Sequence, residues 1–301
     1  MIKKQFKADL ALLFVALVWG VSFTVIKDAL AGIGPYYFNV LRFSAAFIFL
    51  AASFWKRFRK VDRKTLSAGL LIGLFLFAGY AFQTVGLKYT SASKAGFITG
   101  MAVVLVPLVS AGLTRRLPGV IPLAGVASAA IGLAGLSLDN SLNIDYGDGL
   151  VFLCAVSYAL HIILVGHYAP RHDPVVLTII QVGVVAAASL GCAAFLEEMP
   201  ASFSGEVWVA LLVTALPATA FAFLIQNSVQ RFTSPTHTAI IFTMEPVFAA
   251  ACAWLLGGEI LTLRQWAGSL LILVGMLVTE LKSAPGEPGR LPRTAEGEAG
   301  Q

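Results

Sequence analysis

Ten stretches of this chain are each about twenty residues long, mostly apolar and almost free of charge: 9–28, 35–55, 67–87, 93–113, 119–138, 148–168, 174–195, 208–230, 235–256 and 264–282. A bilayer core of about 30 Å is spanned by about 20 helical residues. Helix is required there because lipid offers no partner to an unpaired backbone N–H or C=O. Barrel strands would be half as long and alternate in polarity. The expected fold is therefore an all-α integral membrane protein of ten transmembrane helices, with mostly short links and antiparallel neighbours. Composition closes off the soluble alternative: 58% of residues are hydrophobic and 12% charged, against about 45–50% and about 25% in soluble domains. Lys3, Lys4 and Lys7 precede the first run in the manner of a signal peptide. That run is longer than the apolar core of about 7–15 residues such a peptide carries, so it reads as a helix. Cys154, Cys192 and Cys252 all fall within apolar runs, as free thiols would.

The basic residues orient the chain. With the N-terminus taken as cytoplasmic, 16 of the 21 Lys and Arg residues fall inside, including Lys56, Arg57, Arg59, Lys60, Arg63, Lys64, Arg115, Arg116, Arg171 and Arg231. Only Lys27, Lys88, Lys94 and Arg264 fall outside or at outer helix ends, and Arg42 lies within a run. Both termini are therefore expected in the cytoplasm, in an inner (plasma) membrane. The net charge of +5 reports this asymmetry rather than nucleic-acid binding.

The chain also matches itself. YTSASKAGFITGM, from Tyr89, aligns with FTSPTHTAIIFTM, from Phe232, at an offset of 143 that also pairs Gly125 with Gly268 and Gly132 with Gly275. ALLFVALV of the first run aligns with GLVFLCAV of the sixth. The reading is two five-helix units, residues 1–145 and 146–283, followed by a polar, Pro- and Gly-rich tail over 284–301 expected to be disordered. Five is odd, so the second unit inserts upside down. Inverted repeats of this kind build secondary transporters, with the substrate site near the midplane between the halves.

Polar side chains inside the runs are costly and mark a cavity or a buried pair. The repeat selects matched positions: Asn39 and Arg42 against Thr178 and Gln181, Gln83 against Gln226, and Lys94 against His237. Each has a plain alternative: snorkelling for Arg42, interfacial placement for Lys94 and His237, and interhelical hydrogen bonding for Gln83 and Gln226. Glu245 stands about ten residues into the ninth run and is followed by Pro246, expected to kink the helix. Trp19, Tyr80, Tyr158 and His161 complete the candidate site, with Ser157 one turn from His161. Gly69 with Gly73, and Gly96 with Gly100, are expected at helix contacts.

No GxxxxGK[ST] loop is present to cradle ATP. His167, His172 and Asp173 cluster beside one short inner loop and read as a hydrated link rather than a metal or acyl-transfer site. No converging nucleophile, base or metal set marks an enzyme, and no cofactor is implied. A purely structural membrane protein has no need for polar residues repeated at matched depths.

TSASKAGFITGMAVVLVPLVSAGL, TMEPVFAAACAWLLGGEILTLRQWAGSLLILVGML and LVWGVSF together resemble the EamA family of the drug/metabolite transporter superfamily. The resemblance implies ten helices around a central cavity, both termini cytoplasmic, and export of amino acids or other small metabolites. It is carried by Glu245–Pro246 and Gly258–Glu259. The first half departs from the pattern, with Ala102 and Val103 opposite Glu245 and Pro246. The expected partners are a small-molecule substrate, the bilayer and protons as a candidate coupling ion, in a monomer or weak homodimer. Efflux of hydrophobic or cationic drugs on the same scaffold is the alternative.

Overall fold

The computed structural model describes residues 2–90, 92–115, 118–137, 145–198, 200–257 and 261–282. Gly258–Glu259, the side chain of Lys94 and the tail over 284–301 lie outside the described residues. Among the described residues the regular secondary structure is all helical, with no strand.

In chain order the helices are α1 (Ile2–Ala29), α2 (Pro35–Ser53), the short α3 (Trp55–Phe58), α4 (Arg63–Gly86), α5 (Ala92–Gly100), α6 (Ala102–Thr114), α7 (Val120–Ser137), α8 (Tyr146–Tyr168) and α9 (Pro174–Leu196). There follow α10 (Gly205–Ala215), a π-helical segment Leu216–Phe221, α11 (Ala222–Val229), a 3-10 turn Gln230–Phe232, α12 (Pro235–Phe242), α13 (Met244–Gly257) and α14 (Leu263–Lys282). Each apolar run is helical, and seven helical stretches are long and apolar enough to cross a membrane. Val120–Leu136 and Leu263–Val278 are shorter apolar helices.

Local chemistry explains where the helices begin. Proline opens α2, α9 and α12, at the position where its missing N–H costs nothing. The Asp62 carboxylate accepts from the backbone N–H groups of Lys64 and Thr65, both at 2.9 Å, and so caps α4. Asp173 caps α9 through Val175 N at 2.9 Å. Glu197, in the link after α9, reaches across to the start of α2, where its two oxygens accept from Tyr36 N and Tyr37 N at 2.9 Å each.

The helices pack through small residues, as membrane helices do where lipid is as apolar as the side chains. A Cβ on Gly132 of α7 would stand 2.5 Å from the carbonyl oxygen of Gly268 on α14, and one on Gly268 would stand 2.5 Å from Gly132 O. These backbones touch. Gly69 and Gly73 of α4 press on Ile180 and Val184 of α9, as expected. Gly100 meets Leu133, but Gly96 faces open space and belongs to a cavity wall rather than a contact.

Three of the apolar runs are interrupted, and the interruptions position the site. Pro246 has no N–H to offer Phe242 O, so the helix breaks at Thr243, whose N–H turns to Ile240 O at 3.1 Å. Glu245 therefore falls in the first turn of α13. The corresponding break between α5 and α6, at Met101, follows Gly100 and has no proline at the matching place. The third interruption is the π-helical segment, where Thr219 Oγ1 bonds five residues back to Thr214 O at 2.8 Å.

Candidate functional site

A cavity of about 480 Å³ opens between α1, α2, α4, α8, α11 and α13. Its wall includes Ile26, Leu87, Leu261 and Gln265, beside the links at one end of the bundle, and His161, Ile162, Gln226 and Ala239 toward the other. It stops short of the end that carries Lys56, Lys60 and Arg171. There Gln230 Nε2 donates to Ile162 O at 2.6 Å, and Val106, Ala159, Ile162, Ile163 and Ala239 pack together.

Arg42 projects from α2 onto this wall with 3% of its surface exposed. Its Nε donates to Thr219 Oγ1 at 2.6 Å, and its Nη2 donates to Ala218 O at 3.2 Å and Tyr80 Oη at 3.4 Å. The guanidinium carbon also stands 5.2 Å from the centre of the Tyr80 ring and 5.4 Å from that of Phe43. These partners are neutral. They hold the guanidinium in place without cancelling its charge. The π-helical segment supplies two of them, because its altered register frees Ala218 O, which also accepts from Trp19 Nε1 at 2.8 Å.

Glu245 lies on the same wall as Arg42 but in no ion pair with it. A carboxylate at the first turn of α13 faces the positive end of that helix, which is how the fold accommodates it at this depth. The sequence suggested a kinked helix at Glu245; the structure makes it a helix start.

Of the other expected residues, Trp19, Asn39, Tyr80, Gln83, Tyr158, His161 and Gln226 also line the cavity. Tyr158 Oη donates to Gln83 Oε1 at 3.2 Å, so Gln83 is both cavity wall and interhelical bridge. Asn39 Nδ2 reaches Thr84 Oγ1 at 3.4 Å. Gln181, Thr178 and His237 are not on the wall. Gln181 is fully buried behind His161, its Oε1 2.9 Å from His161 Nε2. Thr178 joins α9 to α11, accepting from Asn227 Nδ2 at 2.8 Å while donating to Pro174 O at 2.7 Å. His237 is buried in the first turn of α12, where its N–H meets Ser234 Oγ at 3.1 Å. Lys94 lies on α5, with its side chain outside the described residues.

Sequence reasoning missed Thr219, Ser22, Thr84 and Phe223. Ser22 and Thr84 stand one helical turn from Trp19 and Tyr80, so periodicity held their signal. Thr219 carried none, since its role depends on a register that sequence does not announce. Gln226 Nε2 donates to Gln230 Oε1 at 3.1 Å, whereas Gln226 Oε1 and Gln181 Nε2 have no protein partner among the described residues. Of the two, only Gln226 lines the cavity, and its amide oxygen is available there to water or substrate.

The EamA-like transporter family matches this chain twice, over residues 6–138 and 145–281. An uncharacterized transporter of Archaeoglobus fulgidus is 36% identical over 280 residues, covering 93% of this chain and 87% of that one. The uncharacterized transporter YoaV of Bacillus subtilis is 22% identical over 280 residues, covering 90% and 96%. A solved crystal structure superposes with a TM-score of 0.76 at 18% identity, covering 91% of this chain and 96% of its own, and so shares the fold.

Proposed function

The chain belongs to the EamA-like transporter family and is a multi-pass membrane transporter, and from that premise we propose that it exports small polar metabolites, amino acids or their relatives, by alternating access. The observation that carries the reading is one cavity holding Arg42 and Glu245 unpaired with each other. A zwitterion satisfies both, its carboxylate taking the guanidinium's free donors and its ammonium meeting Glu245. The residual amide oxygen of Gln226, on the same wall, serves a polar group or water between them.

The double family match supports two five-helix units, residues 1–145 and 146–283, inserted in opposite senses to give ten spans. Both termini then face the cytoplasm of an inner (plasma) membrane, and the cavity opens outward. Inward opening requires the Gln230–Ile162 bond to part. Protons couple to transport if Glu245 or His161 exchanges one during the cycle; uniport needs neither.

The aromatic wall of Trp19, Phe38, Tyr80, Tyr158, Phe223 and Phe242 supports a second reading, efflux of hydrophobic cations. Arg42 opposes it by placing a fixed positive charge in the same space.

Proteoliposome flux of a labelled amino-acid panel, with and without a pH gradient, separates the readings. Saturable amino-acid flux that falls at least about tenfold in Arg42→Gln and Glu245→Gln supports the zwitterion site. Flux of Glu245→Gln equal to wild type at every pH removes Glu245 from it. Flux of lipophilic cations alone, surviving Arg42→Gln, favours efflux.

A further inference from the structure

A second cavity, of about 410 Å³, lies at the end of the bundle away from the mouth just described. Two links form it, residues 54–62 between α2 and α4 and residues 169–173 between α8 and α9. Lys56, Arg57, Lys60 and Arg171 line it, with Asp62, Thr65, His172 and Asp173. Four cations therefore face two carboxylates, and both carboxylates are already in use. Asp62 caps α4 and also accepts from Thr65 Oγ1 at 2.6 Å. Asp173 caps α9 and stands 3.5 Å from Arg57 Nη1. His172 Nδ1 is fixed against Thr65 Oγ1 at 2.8 Å. Among the described residues no carboxylate lies within ion-pair reach of Lys56, Lys60 or Arg171. Arg171 donates to the carbonyl oxygen of His167.

Dispersed loop lysines that merely orient a membrane protein do not need a shared concavity. Here cations from two links, distant in sequence, converge on one, joined by the Arg57–Asp173 pair and the Thr65–His172 contact. Its floor, Thr65 and Val176, belongs to the first turns of α4 and α9, the ends of two apolar helices long enough to cross a membrane. Trp55, 56% exposed and covered by the Arg59 guanidinium at 5.7 Å, stands beside it as an interfacial aromatic does.

We propose that this pocket binds a phosphate group, that of an anionic phospholipid in the adjoining leaflet, through Lys56, Lys60 and Arg171. Basic pockets between transmembrane helices recognise lipid head groups in this way. Free phosphate offers the same chemistry without the acyl chains. The proposal is independent of what crosses the central cavity, because none of these residues lines it.

The test is native mass spectrometry of the purified full chain, titrated with dioleoyl phosphatidylglycerol, dioleoyl phosphatidylcholine or inorganic phosphate. The wild type should retain phosphatidylglycerol over phosphatidylcholine, and the K56Q/K60Q/R171Q variant should lose at least about tenfold of that affinity. K56R/K60R should keep it. Arg231→Gln, an exposed cation outside the pocket, should leave it unchanged. Competition by inorganic phosphate that displaces the lipid identifies a soluble source, and its failure to compete identifies the lipid. Equal retention of both lipids, an unaffected triple variant, or a loss as large in Arg231→Gln overturns the proposal. Since Lys56, Lys60 and Arg171 are exposed, a melting midpoint within error of wild type verifies that the triple variant is folded.

Discussion

Gly20 of α1 stands against the backbone of Glu245: a Cβ at position 20 would lie 2.5 Å from Glu245 O and 3.0 Å from Phe248 Cβ. The carboxylate-bearing residue of the candidate site thus has its main chain packed against the first helix. Gly20→Ala should force α1 and α13 apart, costing about 1–3 kcal/mol as overpacking does. The melting midpoint of the purified protein checks the cost, and substrate affinity checks the displacement of Glu245. An unchanged midpoint would mean that the two backbones are not in contact.

Thr219 is the acceptor that fixes Arg42. Thr219→Val preserves shape but leaves the buried Nε of the guanidinium without its 2.6 Å partner. The expected loss is about 1–3 kcal/mol, since an orphaned buried donor is costlier than a missing bond. Thr219→Ser should restore most of it. If Val and Ser variants unfold alike under denaturant, the hydroxyl is not what matters.

Glu197 should matter to α2 although it lies 160 residues beyond it in sequence. Glu197→Ala removes an acceptor from two backbone N–H groups and a negative charge from the positive end of the helix, for a loss of about 1 kcal/mol. Hydrogen exchange at Tyr36 and Tyr37 should accelerate selectively. Uniform exchange across the chain would instead indicate global destabilisation.

Asp62 gives a pH dependence of definite sign. Hydrogen bonding, first from the Thr65 hydroxyl and then from backbone N–H groups, holds its carboxyl below the ordinary value. A group with a depressed folded value contributes its stability above the unfolded value and loses it as pH falls through the folded one. Fraying of α4 should therefore begin on the acid side, and Asp62→Asn should flatten that part of the profile while retaining a cap. Exchange at Lys64 and Thr65, followed from neutral to acid pH, distinguishes the two proteins. A slope that persists in Asp62→Asn assigns it to another group.

The chain's self-match drew attention to four of the polar side chains that now share one cavity, Asn39, Arg42, Gln83 and Gln226. Arg42, Gln83 and Gln226 were legible because a charge or amide in an apolar run is conspicuous wherever the helix ends up. Thr178, Gln181 and His237, matched in the same way, do not line the cavity. Matched depth places a residue at a level in the bundle but does not say which way it faces, and these three turn toward neighbouring helices.

What the residues fixed without help was helix, lipid as solvent and the presence of charges that lipid does not tolerate alone, since all three follow from the length and polarity of local runs. Which atoms satisfy those charges was settled only by packing. Arg42 is held by a π-helical carbonyl and hydroxyl some 176 and 177 positions away, and Glu245 is accommodated by a helix start that Pro246 creates. Such partners meet through the approach of whole helices, and no local pattern encodes a distance between segments so far apart.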